Sequence, residues 1–301
     1  MPDSDSPSLT QMPISTASTA AALSDHTGFT AQFWGVRGSV PTPGLDTVRY
    51  GGNTACVEVL AGETRLIFDG GTGLRVLGKH LLHQKPDIKA HLFFTHAHWD
   101  RIQGFPFFIP AFVPGNSFNI YGSPAPNGAS IKQCLTDQML RPNFFTPLQK
   151  MQAKMQFHNI HAGSVVPLGE GLTIETIALN PHTSALGFRI NWQGHSLVYA
   201  TDTEPHSRQL DQNLLYLAQD ADLLIYDGTY ADTAYHDLNG DGNMAWESGI
   251  NLVKEAAIKE LILFHHNPAH DDDFLDRMEM EIRQHFGNVR LAREGMILQL
   301  A

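Results

Sequence analysis

At 301 residues, 42% apolar and 17% charged, the chain can bury a sizeable core in one large domain or two smaller ones. Its net charge of −11 makes the average surface repel polyphosphate, which argues for a small substrate and against a long nucleic acid, while leaving room for a local basic site. Two cysteines, Cys56 and Cys134, supply neither a disulfide framework nor a thiolate metal cluster and suit a reducing compartment, whereas 16 histidines leave ample imidazole for a metal.

In chain order, residues 1–28 are rich in Ser, Thr, Ala and Pro, with no basic start and no apolar run of signal-peptide length, and read as a disordered tail. No stretch approaches the ~20 apolar residues that cross a bilayer, so the expectation is a soluble cytoplasmic protein without a membrane partner. From residue 29 to 301 the pattern is that of one packed domain. Strands are predicted at "TAQFWGV", "ACVEVL", "TRLIFDGG" and "AHLFFTH", with a helix at "GLRVLGKHLLHQ". Residues 123–155 read as helices and loops. Strands return at "LTIETIAL", "LGFRINW", "SLVYATD", "DLLIYDG" and "ELILFHH", and helices are predicted at 207–219, 245–258 and 272–286. Two blocks of strands, each followed by helices, predict two sheets packed face to face with helices outside; no repeat is strong enough to establish an internal duplication.

The chemistry gathers where apolar strands end. In "FFTHAHWDRIQGFPFF" His96, His98 and Asp100 recur at every second position, so in an extended segment their side chains project to one side. Spacing alone leaves a chance solvated loop as the plainer reading. Further donors shift the balance: His182 in "LNPHTS", Asp202 in "YATDTE", and His265 and His266 in "LILFHHNP" each emerge from an apolar run. Burying such groups without partners is costly, and convergence on a cation explains them together.

These motifs resemble the metallo-β-lactamase superfamily, over nearly the whole chain after the tail. "GVRGSVPTPG", "RYGGNTACVEV", "FDGGTG" and "GFPFF" look like its branch containing RNase Z and the cyclic-phosphate phosphodiesterases. The resemblance implies an α+β fold, an αββα sandwich of two mixed sheets with metal at one edge. It implies a first site of His96, His98 and His182, and a second of Asp100, position 101 and His265, with Asp202 bridging both. Zinc is the expected ion, one or two per chain, with manganese or iron as alternatives. Asp69 in "FDGG" would orient a ligand histidine, or else simply form a turn. The implied activity is hydrolysis of a small cyclic nucleotide or cyclic phosphate ester by a metal-activated water. Relatives of this branch are commonly dimers, so a homodimer is expected.

Two positions depart from the branch. Arg101 stands where the pattern has its third histidine, and a guanidinium cannot ligate a cation. It would pair with Asp100 or Asp202, weakening the second ion, or clamp a substrate phosphate oxygen. Asn243, in "GNMAWESG", stands where the branch carries a proton-donating histidine, a task an amide cannot perform; His236 or His266 would have to substitute. A member that has lost hydrolysis and serves as a metal-binding or regulatory protein is the competing reading. "DLNGDGNMAWES" also matches half a calcium loop through Asp237, Asn239 and Asp241, but Glu247 falls one residue early, and a turn between helices is the plainer reading. "GFPFFIPAFVPG" reads as core close enough to line a pocket, and the aspartates of "FHHNPAHDDD" as the acidic start of a helix.

Overall fold

The structure is a computed structural model that describes residues 28–84, 87–180, 182–203, 211–227 and 245–301, with 245–248 described as helix backbone only. The first half of the chain builds one mixed sheet. Strands β1 (Phe29–Gly35), β2 (Cys56–Ala61) and β3 (Thr64–Phe68) run antiparallel, and β4 (Lys89–Phe94), β5 (Ser117–Gly122) and β6 (Lys154–Asn159) continue it in parallel. Helix α1 (Thr72–Leu82) crosses between β3 and β4, α2 (Trp99–Ile102) follows β4, and α3 (Ile131–Asp137) lies between β5 and β6.

The second half repeats the plan. Strands β7 (Val165–Gly169), β8 (Leu172–Asn180), β9 (Ala185–Trp192) and β10 (His195–Ala200) are antiparallel, then β11 (Leu223–Asp227), β12 (Glu260–Phe264) and β13 (Val289–Leu291) run parallel to β10. Helices α4 (Gln212–Ala218), α5 (Ala245–Glu255) and α6 (Asp272–His285) accompany these strands, and β14 (Ile297–Gln299) returns to the free edge of β1. The orders are β14-β1-β2-β3-β4-β5-β6 and β13-β12-β11-β10-β9-β8-β7, the two-sheet sandwich the pattern predicts.

Residue alternation explains the layers. Phe33, Phe68 and Phe93 of the first sheet meet Phe188, Tyr199, Ile225 and Phe264 of the second in one apolar core. On the outer faces Leu74, Leu77 and Leu81 of α1 cover Ile67 and Leu92, while Leu214, Ile250 and Leu275 from α4, α5 and α6 cover Val198 and Leu261. A strand covered on both faces has no polar side there, so "LFF" of β4 reads as a continuous apolar run. Strands β5, β6, β7, β13 and β14 were not among those expected. The three-residue strands leave no pattern to read, and β6 and β7 alternate exposed with half-buried positions at the sheet ends, where apolar content is low. No described helix is long and apolar enough to cross a membrane.

Candidate metal centre

The polar residues picked out by the sequence lie at the carboxyl ends of parallel strands, the position where open sheets leave a crevice. Asp69 follows β3, Thr95 and His96 follow β4, Asp202 lies just beyond β10, Asp227 ends β11 and His265 follows β12. Asp69, Asp202 and His265 all take left-handed backbone conformations, with φ of 59°, 65° and 63°. Such conformations cost non-glycine residues on the order of 1 kcal/mol or more each, and concentrate where side chains must be aimed. Backbone packing holds the loops together. Gly70 N donates to Arg101 O (2.6 Å) and Gly104 N to Gly70 O (2.9 Å), and a Cβ on Gly104 would fall 1.8 Å from Gly71 O. Helix α2 is thereby clamped onto the "FDGG" turn.

His96, His98 and Asp202 converge, one ligand atom of each lying within 4.8 Å of the others. Zinc–nitrogen and zinc–oxygen bonds of about 2.0–2.2 Å put two tetrahedral ligands about 3.4 Å apart. His96 Nε2 and Asp202 Oδ2 are 3.8 Å apart, so the donor set fits an ion after a small adjustment. The tautomer fits as well. Thr95 Oγ1 gives its one proton to Asp69 Oδ1 (2.9 Å), so at 3.0 Å from His96 Nδ1 it can only accept. The proton is therefore on Nδ1 and the lone pair on Nε2, facing Asp202. Burial, with the charge of Arg101 and neighbouring His98, pushes the His96 pKa well down and keeps the ring neutral. Thr183 Oγ1 donates to Asp202 Oδ2 at 2.5 Å. Asp69 thus reaches His96 through Thr95, and its own left-handed conformation is that of a turn. His182 lies on the exposed turn between β8 and β9, its backbone N–H on Asn180 Oδ1 (2.9 Å), and is not one of the three converging groups.

A second pair adjoins them. His265 Nε2 is 2.9 Å from Asp100 Oδ2, which also receives Ser39 N (3.3 Å). On the other side of the ring, Asp227 Oδ2 lies 3.2 Å from Nδ1, close but off the line of a well-formed hydrogen bond, and accepts Asp202 N at 2.9 Å. Burial alone would lower the His265 pKa, and Arg101 adds to that, but Asp227 and Asp100 outweigh both and raise it. Burial opposes the charge of Asp100, yet His265 and Arg101 hold its carboxyl well below the usual range. Asp227 was read only as a strand end. Its signal was present in "YDG", an aspartate closing an apolar strand just as in "FDG" and "ATD".

Arg101 is fully buried. Its Nη1 donates to Asp69 Oδ2 (2.8 Å) and Tyr199 Oη (3.3 Å), and its Nε stands 3.4 Å from Asp100 Oδ2. The expected pairing with Asp100 is present, whereas a phosphate clamp is not, because a side chain with no exposed surface beneath the loop cannot reach a substrate. Burial would weaken its charge, but Asp69, Tyr199 and Asp100 raise its pKa further.

His266 is not a proton donor either. It is buried, its Nε2 lies 2.8 Å from Ala292 O, and burial pushes its pKa down to about 3. Asn243, His236 and the calcium-like Asp237, Asn239 and Asp241 lie outside the described residues. Asp271 caps α6 by accepting Phe274 N (2.7 Å), as the acidic helix start predicts. In the proline-broken run Phe105 and Phe108 enter the core, while Phe107 and Ile109 face outward.

The family described as "Beta-lactamase superfamily domain" matches residues 64–266. A ribonuclease Z of Gemmatimonas aurantiaca is 33% identical over 149 residues, covering 47% of this chain and 41% of that protein, so the shared stretch is less than half of the relative's length. A solved structure described as a new diphosphatase from the PhnP family superposes with a TM-score of 0.64 at 16% identity, over 90% of this chain and 97% of that one. Zinc-bound PqqB from Methylobacterium extorquens gives a TM-score of 0.62 at 17% identity, over 90% and 100%. At these identities the structural likeness establishes the fold. With a family match running from β3 through the histidine pair after β12, the chain belongs to the beta-lactamase superfamily.

Proposed function

We propose that the chain is a metal-dependent phosphodiesterase whose ion is held by His96, His98 and Asp202, with Asp100 and His265 as donors for a second, weaker ion. The observation that carries this reading is the convergence of the three donors beside the Asp100–His265 pair. Zinc is the expected ion from the imidazole and carboxylate donors, and a zinc-bound PqqB shares the fold. When bound, such ions supply an acidified water and positive charge facing the reacting phosphorus.

The chain's own residues do the rest. The Asp69–Thr95–His96 relay keeps the Nε2 lone pair of His96 aimed inward. Asp227 steadies His265 from behind and ties its loop to that of Asp202. Arg101 holds Asp69 and Asp100 from inside the core, so its place in the motif weakens the second ion by competing for Asp100 and adds no contact to the substrate.

The substrate reading is a phosphodiester. A small cyclic nucleotide or cyclic phosphate suits the acidic average charge, while the relative named ribonuclease Z leans against the expectation that a long nucleic acid is excluded. Metal content and hydrolysis of bis(4-nitrophenyl) phosphate by the zinc-loaded protein test the proposal. At least one ion per chain, lost with activity in His98→Ala, is the expected result. A loaded protein that hydrolyses no diester would instead support a regulatory, non-hydrolysing member.

A further inference from the structure

Just after β1 the chain runs between the two sheets and past His265. Arg37 forms parallel bridges both to Thr54, ahead of β2, and to His266, after β12. Val36 and Arg37 each donate a backbone N–H to Asn53 O (2.9 Å), Val36 O accepts His266 N (2.8 Å), and Gly38 N donates to His266 O (2.9 Å). The residue next to His265 is thus held by both of its backbone groups. The side chain of Arg37, which has no exposed surface, extends the grip. Its Nε donates to Gly51 O (2.8 Å), and its Nη1 donates to Asn267 O (3.2 Å) and His270 O (2.7 Å), so one guanidinium fixes the loop that leaves His265. Its Nη2 stands 4.0 Å from Asp272 Oδ1, at the start of α6.

The next two residues meet the Asp100–His265 pair directly. A Cβ on Gly38 would fall 2.8 Å from Cε1, 2.9 Å from Nε2 and 3.0 Å from Nδ1 of His265, so the bare backbone forms a wall against that ring. Ser39 is the centre of a three-residue turn closed by Val40 N on Gly38 O (2.6 Å), with φ of 59°. Such turns are rare and strained. This one aims Ser39 N at Asp100 Oδ2 (3.3 Å), the same oxygen that faces His265 Nε2 at 2.9 Å. A segment that merely closed the edge of the sandwich would need neither the missing side chain at 38 nor the left-handed conformation at 39. We infer that Arg37, Gly38 and Ser39 are positioning residues that fix His265 against Asp100, and that they set how tightly that half of the centre holds its ion while leaving the ion at His96, His98 and Asp202 alone. The affinity step rests on the proposed second ion; the placing of the ring does not.

Gly38→Ala is the test. Gly38 has no left-handed backbone, and the atoms nearest the new methyl all belong to the His265 ring, so the chain can fold and the ring must give way. Zinc titration of the metal-free full chain against a chromophoric chelator should show the second ion weakened about 10- to 100-fold and the first unchanged. Nitrogen-15 NMR of the metal-free protein should show the His265 ring signals displaced and those of His96 in place. Arg37→Lys keeps the charge but gives up the planar fork that spans the carbonyls, and should weaken the same ion. Should Arg37→Lys fail to fold, Gly38→Ala decides alone. The inference is overturned if Gly38→Ala leaves the second ion's affinity or the His265 signals as in the wild type, or if both ions weaken alike, as a purely structural strap would give. A wild type that takes up only one ion removes the proposed second ion; displaced His265 signals in Gly38→Ala would then uphold the positioning, and unmoved signals would overturn it. Neither readout uses hydrolysis, so a protein that cleaves no diester leaves the inference standing.

Discussion

Arg101 Nη1 lies 2.8 Å from Asp69 Oδ2, in a pair closed off from solvent on both sides. Asp69 also accepts Thr95 N, Thr95 Oγ1 and Tyr199 Oη, so this one carboxylate joins the ends of β3, β4 and β10 beneath the metal loop. The cation that looked misplaced among metal ligands is the countercharge of that carboxylate.

Removing one partner of a buried pair leaves the other charge uncompensated. Arg101→Ala is expected to cost about 3–5 kcal/mol of stability, read from urea unfolding of the metal-free protein. Arg101→His, which restores the motif of the branch, should also destabilise, because an imidazole is too short to reach Asp69 from the same backbone position. A variant as stable as the wild type would show that the pair carries no weight.

Thr95→Val keeps the shape of the side chain and removes the hydroxyl between Asp69 and His96. His96 Nδ1 then loses its acceptor, and the ring loses its fixed tautomer. Changes of this kind typically lower metal affinity about 10- to 100-fold. Competition against a chromophoric chelator measures it, and unchanged affinity would mean that the relay does not orient the ligand.

Much of the centre could be read from the chain because its donors interrupt strongly apolar strands: His96, Asp202 and His265 each close a run that would otherwise be core. The two-sheet layering followed from the same runs. What could not be read depends on partners distant in sequence. The direction of Arg101 is set by Asp69 and Tyr199, 32 and 98 residues away, and spacing within "HAHWDR" says nothing about either. Thr95 has an ordinary local pattern, and only the folded neighbours of its hydroxyl distinguish it from a strand-end residue.

Asp227→Asn removes a negative charge 3.2 Å from His265 Nδ1 while leaving an oxygen for Asp202 N. The protonated imidazole loses support, so the raised pKa of His265 should fall. Nitrogen-15 NMR titration of the metal-free protein reads it directly, and a pKa that stays put would place the stabilising charge on Asp100 alone.

His266 gives a pH dependence that does not involve the metal. Burial lowers its pKa to about 3 in the folded protein, against about 6.5 in an unfolded chain. Between those values the unfolded state binds the proton and the folded state does not, so stability rises with pH across the window. The contribution is complete above about pH 6.5 and is lost as pH falls, at up to about 1.4 kcal/mol per unit. His266→Gln replaces the ring with a side chain whose amide can still donate to Ala292 O and does not titrate. The two proteins, stripped of metal and unfolded in urea from pH 7 to pH 4.5, should therefore differ in slope, with the variant flatter. Other acid-sensitive groups act on both proteins alike and drop out of the difference. Parallel slopes would mean that His266 takes up its proton without unfolding, and that the ring is less enclosed than its contacts with Ala292 and Tyr50 indicate.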